Sequence, residues 1–131
     1  MTFQDTFTIR EMCTAYDVTP RTLRFYEAKE LLSPVRQGTR RLFTKQDRAR
    51  LLLIQRGKRF GFSLEDIRQL LELYEHHGTN QAQMLRSYQL GKDRIAIMRA
   101  QHAELEVAIA ELQTELSACE AVMANLSQAA E

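Results

Sequence analysis

The chain has 131 residues, enough for about one domain of ordinary size. Hydrophobic residues make up 44% of it and charged residues 27%, as in an ordinary globular protein, and no apolar run approaches the roughly 18–20 residues that a membrane span needs. The first residues lack the basic and apolar regions of a secretory signal, so we expect a cytoplasmic protein with no membrane partner.

The net charge of +1 conceals an uneven distribution of charge along the chain. Residues 18–62 carry twelve lysines and arginines against three acidic residues, a net charge of +9. From Thr79 onward, four cations and seven anions give −3. A basic block joined to an acidic tail is expected when one part of a molecule meets a polyanion such as DNA. A solvated surface of mixed charge is the alternative interpretation.

Two short helices are predicted near the N-terminus, after a short strand at Phe7–Ile9. Apolar residues recur at helical spacing from Ile9 to Tyr16. Thr19 followed by Pro20 predicts the start of a second helix, because threonine caps free backbone N–H groups and proline suits the first helical position. This helix should run from Pro20 to about Lys29. The pair indicates a helix-turn-helix whose second helix is the recognition helix.

A β-wing and a third helix follow in the basic block, and a fourth helix comes directly after it. Leu31–Arg36 and Arg40–Thr44 flank Gly38, which can take the positive φ of a tight hairpin turn.

Thr44 is predicted to cap a third helix from Lys45 to about Phe60, which Gly61 ends. We expect Ala49, Leu52, Leu53 and Arg56 to form an imperfect stripe along this helix.

Ser63 is predicted to cap a fourth helix that closes at His76-His77-Gly78. Its apolar face should contain Leu64, Ile67, Leu70, Leu71 and Tyr74.

From Met84 onward the sequence follows a long heptad repeat, with spacings of four and three alternating as far as Leu126. One helix cannot bury such a stripe alone, and the commonest arrangement of a homo-oligomer is a two-fold dimer. Periodicity leaves the choice between parallel and antiparallel pairing open. The predicted dimerisation residues are Ile95, Met98, His102, Leu105, Ile109, Leu112, Leu116, Cys119 and Met123.

Three stretches of the sequence resemble the MerR family of bacterial transcription regulators: Phe7–Glu11, Asp17–Glu27 and Gly61–Ile67. Residues 22–27, Thr-Leu-Arg-Phe-Tyr-Glu, are similar to that family's recognition-helix signature, and Arg40–Thr44 is similar to the strand that leaves its wing. The likeness covers about Phe7 to Tyr74. The run from Arg56 to Ile67 is most similar to the branch that regulates leucine, isovalerate and acyl-CoA catabolism.

The resemblance implies a mainly α fold: a winged helix-turn-helix head over residues 6–76 and a dimerisation helix over residues 80–127 that forms an antiparallel coiled coil. It further implies a homodimer on a palindromic promoter, which distorts the spacer DNA so that RNA polymerase can engage the promoter. An acyl-CoA or another small organic effector is implied by the branch alone, since the sequence contains no CoA motif.

The DNA-binding residues carried over from the resemblance form three groups. On the recognition helix, Arg21, Thr22 and Arg24 suit the major groove, and the Tyr26 hydroxyl suits a phosphate. In the wing, Arg36, Arg40 and Arg41 suit the flanking backbone or minor groove. Lys58 and Arg59 correspond to the second phosphate clamp that the family places between its third and fourth helices. We expect Leu23, Phe25 and Phe43 to be core residues instead.

Metal-responsive members of the family, as the resemblance implies, use cysteines at the start of the dimerisation helix and in a C-terminal loop. This chain lacks them, so we predict no metal site and no cofactor. Cys13 and Cys119 fall in different predicted units, so we expect free thiols. A metal- or redox-responsive regulator of the same fold remains an alternative.

Two other classes of protein were weighed. No catalytic constellation or phosphate-binding motif occurs at an informative spacing, so we do not expect an enzyme. A coiled-coil adaptor whose basic head binds another protein is the second alternative. Salt distinguishes it, since DNA affinity falls steeply with ionic strength.

Overall fold

A computed structural model describes residues 5–75 and 81–130 and contains five helices and a small sheet within those residues. In chain order the elements are β1 (Phe7–Thr8), α1 (Ile9–Tyr16), α2 (Pro20–Ala28), β2 (Val35–Gln37), β3 (Arg40–Phe43), α3 (Lys45–Arg59), α4 (Leu64–Glu75) and α5 (Gln81–Ala130). The sheet is antiparallel with the order β1-β3-β2. The predicted fold class, mainly α with a winged head and a long C-terminal helix, is confirmed.

The chain divides into two compact units, one up to Leu90 and one from Gly91 onward. The predicted domain boundary between residues 76 and 80 lies outside the described residues, so that division stays a prediction. Among the described residues, no helix is both long and apolar enough to cross a membrane.

Side-chain caps start the helices of the first unit where the sequence predicts them. Thr19 Oγ1 accepts the backbone N–H of Thr22 at 3.1 Å, and Ser63 Oγ accepts that of Asp66, also at 3.1 Å. Thr44 and Asp47 form a reciprocal capping box at the start of α3. Each cap satisfies a backbone N–H that has no partner inside its own helix. The predicted starts of α2, α3 and α4 are therefore confirmed.

The end of α3 is a Schellman motif. The N–H of Phe62 donates to the carbonyl of Gly57, and the N–H of Gly61 donates to that of Lys58, both at 3.0 Å. Gly61 has a φ of +84°, which a residue with a Cβ rarely adopts. The prediction that Gly61 ends this helix is confirmed.

The stripe predicted for α3 is wrong in its phase. The buried residues are Asp47, Leu51, Ile54 and Gly57, whereas Leu52 is half exposed. Two other members of the predicted stripe, Ala49 and Arg56, are also exposed. Residues 51–54 are all apolar, so periodicity alone does not choose the face; packing against α4 and the segment before the wing does.

The wing is shorter than predicted. Leu31 and Leu32 are not in a strand; they are fully buried in the core, and β2 begins only after Pro34. Gly38, with a φ of +63°, and Thr39 form the turn to β3. In the hairpin Arg36 lies opposite Arg41, and Gln37 lies opposite Arg40.

One apolar core holds the first unit together. Ile67 and Leu71 of α4 are each 1% exposed and confirm the predicted face of that helix. The side chain of Tyr74 and the predicted close at residues 76–78 lie outside the described residues. The buried core contains Met12, Leu23, Tyr26, Leu31, Leu32, Phe43, Leu51, Ile54, Ile67 and Leu71.

The predicted heptad region is helical throughout its described length, as α5. From Ile95 to Ala130 every residue is exposed in the single chain. Leu105, Leu112 and Leu116 are each more than half exposed, so the apolar stripe has no partner within one chain.

Gly57 of α3 packs closely against Ile67 of α4, and we predict that Gly57→Ala destabilises the fold. A Cβ at this position would lie 2.8 Å from Cγ1 of the buried Ile67. Overpacking a core costs about 1–3 kcal/mol, and the better helix propensity of alanine returns about 1 kcal/mol. Urea unfolding should therefore give a net loss of up to about 2 kcal/mol in the free energy of unfolding.

The control is the same substitution in an Ile67→Ala background. There the crowding atoms are absent, so Gly57→Ala should be neutral or stabilising relative to Ile67→Ala alone. An equal loss in both backgrounds would contradict the close-packing explanation.

Candidate nucleic-acid interface

Helix α2 presents one face to the core and another to solvent. Leu23 and Tyr26, three residues apart, are buried, whereas Arg21 and Arg24 are exposed. Within the described residues, neither arginine forms an ion pair or a side-chain hydrogen bond. Thr22 is half-buried at the first turn, and its Oγ1 lies 2.9 Å from Oγ1 of Thr19. A helix with free arginines on its outer face has the chemistry needed to contact phosphates and base edges.

The burial of Phe25 and Tyr26 is the reverse of what the sequence predicts. Tyr26 was predicted to offer its hydroxyl to a phosphate, but the residue is 3% exposed and belongs to the core. Phe25 was predicted to be a core residue, but it is 44% exposed, and Lys29 Nζ lies 5.7 Å from its ring centroid. The reason is helical phase: Tyr26 is one turn from the buried Leu23, while Phe25 points to another side. The ring of Tyr26 is therefore part of the core, and the contact of its hydroxyl with a phosphate stays a prediction.

Glu27 of α2 forms ion pairs with two of the three arginines predicted in the wing, Arg36 and Arg41. Its Oε1 accepts a hydrogen bond from Arg36 Nη2 at 2.8 Å, and its Oε2 accepts one from Arg41 Nε at 2.6 Å. Partial burial alone would raise the pKa of Glu27, but the hydrogen bonds and charges of Arg41 and Arg36 outweigh it and lower the pKa below its usual value. The carboxylate is therefore ionised at neutral pH.

Arg40 lies on the other face of the hairpin, because side chains alternate along a strand. It is exposed and forms no ion pair or side-chain hydrogen bond with any described residue. Its charge contributes to lowering the pKa of Glu11, although the backbone and side-chain hydrogen bonds from Thr8 are the larger causes. The structure thus separates Arg40, which is free, from Arg36 and Arg41, which are held.

The third predicted group lies at the C-terminal end of α3. Lys58 and Arg59 are both exposed. Lys58 Nζ lies 5.9 Å from the ring centroid of Tyr26, within the range of a cation–π interaction. Tyr26 thereby connects this end of α3 to the recognition helix, just as Glu27 connects that helix to the wing. All three groups of the first unit are therefore linked through α2.

Sequence reasoning missed the polar side chains that fix the segment between α2 and the wing. Asp47 is buried and accepts the N–H of Ser33 at 2.9 Å, and Arg50 Nε donates to the carbonyl of Leu31 at 2.6 Å. Arg68 donates to the carbonyl of Lys29, and Arg50 also pairs with Glu75. Burial lowers the pKa of Arg50, since it disfavours the charged form. No sequence signal identifies these contacts, because they join residues 14 to 39 positions apart.

The role of Glu27 did have a signal in the sequence. Arg36 and Arg41 are equally far from the Gly38-Thr39 turn, so a two-residue hairpin places them opposite each other. Two like charges in that position repel each other, so a carboxylate close to both would stabilise the strand pair.

The described residues of a single chain form no cluster of metal-ligand side chains. In residues 5–75 and 81–130, no three histidine, cysteine, aspartate or glutamate side chains come close enough together to hold an ion. Cys13, half-buried in α1, and Cys119, exposed on α5, are free thiols. His76 and His77 lie outside the described residues.

Comparison with known proteins identifies two overlapping regions of family likeness. Residues 7–74 match the family described as MerR HTH family regulatory protein, and residues 48–114 match the one described as MerR, DNA binding. Each match spans about half of the chain.

Several characterised relatives are also similar in sequence. The chain is 34% identical to the HTH-type transcriptional regulator ZntR of Escherichia coli K12, over 82% of this chain and 72% of that protein. It is 32% identical to the mercuric resistance operon regulatory protein of Pseudomonas fluorescens, over 94% of this chain and 83% of that protein.

Two solved structures share the fold. HiNmlR, a MerR family regulator lacking the sensor domain and bound to promoter DNA, gives a TM-score of 0.63 at 27% identity, covering 86% of this chain and 88% of its own. PbrR691 from Ralstonia metallidurans CH34, in complex with lead(II), gives 0.62 at 30% identity, covering 82% of each chain. On the combined evidence of fold, exposed basic residues and sequence, this chain belongs to the MerR family of DNA-binding helix-turn-helix transcription regulators.

Proposed function

We propose that this MerR-family regulator binds a palindromic promoter as a homodimer and acts by distorting the spacer DNA. The observation that carries the proposal is the set of free, exposed arginines on the recognition helix and the wing, Arg21, Arg24 and Arg40, within a compact head. HiNmlR, which has a similar fold, binds promoter DNA. Each head would insert α2 into a major groove while the wing meets the flanking backbone.

The remaining predicted contacts complete this arrangement. Thr22 would contact a base edge or phosphate, and Lys58 with Arg59 would clamp the backbone beyond the major groove. Arg36 and Arg41 would reach the flanking DNA from the wing face that adjoins α2. These assignments rest on exposure, charge and the family likeness together.

The exposed stripe on α5 supports a second copy of the chain as the partner. Residues from Ile95 to Met123 repeat in heptads, and the large apolar side chains among them are 40–63% exposed in the single chain. An apolar seam of this length needs a second helix to exclude water. We propose an antiparallel pair, as the family likeness implies, with His102 as a polar residue in the seam; its Nε2 lies 3.6 Å from Oε1 of Glu106 on the same helix.

A dimer of this kind would hold two heads at a fixed separation on one promoter. If that separation differs from the spacing of the half-sites on relaxed DNA, binding must bend or untwist the spacer, at a cost that the protein–DNA contacts offset. RNA polymerase, acting at the same promoter, is the second macromolecular partner that we propose, and the cytoplasm is the corresponding location.

We predict that Arg21→Ala and Arg40→Ala each weaken binding to an operator isolated by selection from genomic fragments. Loss of a base contact costs about 1–3 kcal/mol, and loss of a phosphate contact lowers the slope of log affinity against log salt by about 1. Fluorescence anisotropy at several salt concentrations measures both quantities.

Arg99→Ala is the matched control, since it removes the same charge from α5, outside the predicted DNA-binding residues. Its affinity and salt slope should equal those of the wild type. If Arg21→Ala and Arg40→Ala behaved like this control, the assignment of the head would be wrong. A wild-type affinity that did not change with salt would instead favour the protein-binding adaptor.

For the dimer, we predict that Leu112→Asp dissociates the protein whereas Val107→Asp does not. The two side chains are 56% and 58% exposed in the single chain, but only Leu112 lies in the heptad seam. A carboxylate in an apolar interface is costly to desolvate, so Leu112→Asp should weaken dimerisation by at least about tenfold. Sedimentation equilibrium measures this. Equal behaviour of the two variants would contradict the seam.

We further propose that the effector of this regulator is a small organic molecule. The described residues offer no metal cluster, so an organic ligand such as an acyl-CoA, suggested by the likeness of residues 56–67 to one branch of the family, is the first class to test. We predict that a matching thioester changes operator affinity, measured by titration into the protein–DNA complex. No response to a panel of acyl-CoA esters would count against this branch, and a response to a metal or an oxidant would favour the alternative sensor.

A further inference from the structure

We propose that Glu27 is a positioning residue for DNA recognition: it joins the recognition helix to the wing through Arg36 and Arg41 and thereby sets the distance between their two sites on the operator. The inference rests on the DNA-binding function proposed above. Glu27 would then strengthen DNA binding, although it is an acidic residue on the helix that faces the DNA.

The geometry of the hairpin brings two like charges together. Arg36 and Arg41 are directly opposite each other on β2 and β3 and share one face. Like charges in that position destabilise a strand pair. Glu27 lies within 2.8 Å of Arg36 and 2.6 Å of Arg41, one carboxylate oxygen serving each arginine. The trio keeps a net charge of +1, so the wing remains attractive to DNA.

The three side chains of this trio differ in their exposure to solvent. The side chains of Glu27 and Arg41 are 20% and 24% exposed, whereas that of Arg36 is 50% exposed. An ion pair that is largely shielded from water is screened less by salt than a surface pair. Arg41 is therefore the inner, fixed member of the trio, and Arg36 is the outer member, with free donors for the flanking DNA backbone.

The recognition helix and the wing are also connected through the chain segment between them. The segment from Lys29 to Pro34 joins α2 to β2, and Asp47, Arg50 and Arg68 of α3 and α4 fix it at Ser33, Leu31 and Lys29, respectively. Those contacts end at Ser33, before the hairpin begins. Among the hydrogen bonds and ion pairs of the described residues, those of Glu27 are the ones that join α2 to the hairpin strands beyond that point.

Two opposite results distinguish positioning from simple electrostatics. If Glu27 were only a negative charge near DNA, Glu27→Gln would tighten binding to any DNA, because it removes repulsion of the phosphates. If Glu27 positions the wing, Glu27→Gln should weaken operator binding by about tenfold, the loss that corresponds to one misplaced contact, while affinity for random-sequence DNA stays equal or rises. The released arginines should also steepen the salt dependence on random DNA.

Glu30→Gln is the matched control. Glu30 is exposed, follows α2 by two residues, and forms no ion pair within the described residues, so the substitution removes the same charge without releasing an arginine. Its operator affinity should equal or exceed that of the wild type. In an Arg36→Gln/Arg41→Gln background, adding Glu27→Gln should cause no further loss, because Glu27 acts through those two arginines.

A measurement on the unaltered protein keeps the proposal testable if Glu27→Gln fails to fold, which circular dichroism would reveal. The Nε–H proton of Arg41 should exchange slowly in NMR spectra of the free protein, and its signal should persist in the operator complex. Loss of protection on binding operator, or a Glu27→Gln variant that binds operator as tightly as the wild type, would overturn the inference. If the wild type bound no operator at all, the proposed function itself would fail, which is a different result.

Discussion

The buried carboxylate of Asp47 is the contact on which the arrangement of the head depends. It caps α3 through Thr44 and at the same time accepts the N–H of Ser33, in the segment that joins the recognition helix to the wing. Leu31 and Leu32, just before Ser33, are fully buried. One side chain thus fixes the start of a helix and the path of a connecting segment, and a buried carboxylate is tolerated there because hydrogen-bond donors surround it.

With that segment fixed, the basic side chains divide into two kinds. Arg21, Arg24 and Arg40 are exposed and form no ion pairs within the described residues, so they are available to a polyanion. Arg50 and Arg68 have the same charge but serve as hydrogen-bond donors to the carbonyls of Leu31 and Lys29. The positive charge of residues 18–62 is therefore partly ligand-directed and partly structural. A count of charges does not distinguish the two uses.

The C-terminal helix poses a different physical problem from the head. The head buries its apolar side chains against one another, whereas from Ile95 onward α5 buries none of them in a single chain. Its heptad stripe is a surface whose stabilisation depends on association. The described residues also offer no metal cluster, although PbrR691, a relative of similar fold, was solved in complex with lead(II).

The sequence by itself determined the features that arise from neighbouring residues. The caps at Thr19, Thr44 and Ser63, the end of α3 at Gly61, the turn at Gly38 and the heptads of α5 all follow from interactions within a few positions. Tertiary structure decided which side of a helix is buried: Leu51 and Ile54 instead of Leu52, and Tyr26 instead of Phe25. It also decided that Glu27 holds Arg36 and Arg41 while Arg40 stays free. Local rules set where a helix starts and stops, but burial and ion pairing depend on what packs against it, and that is set by residues far away in the chain.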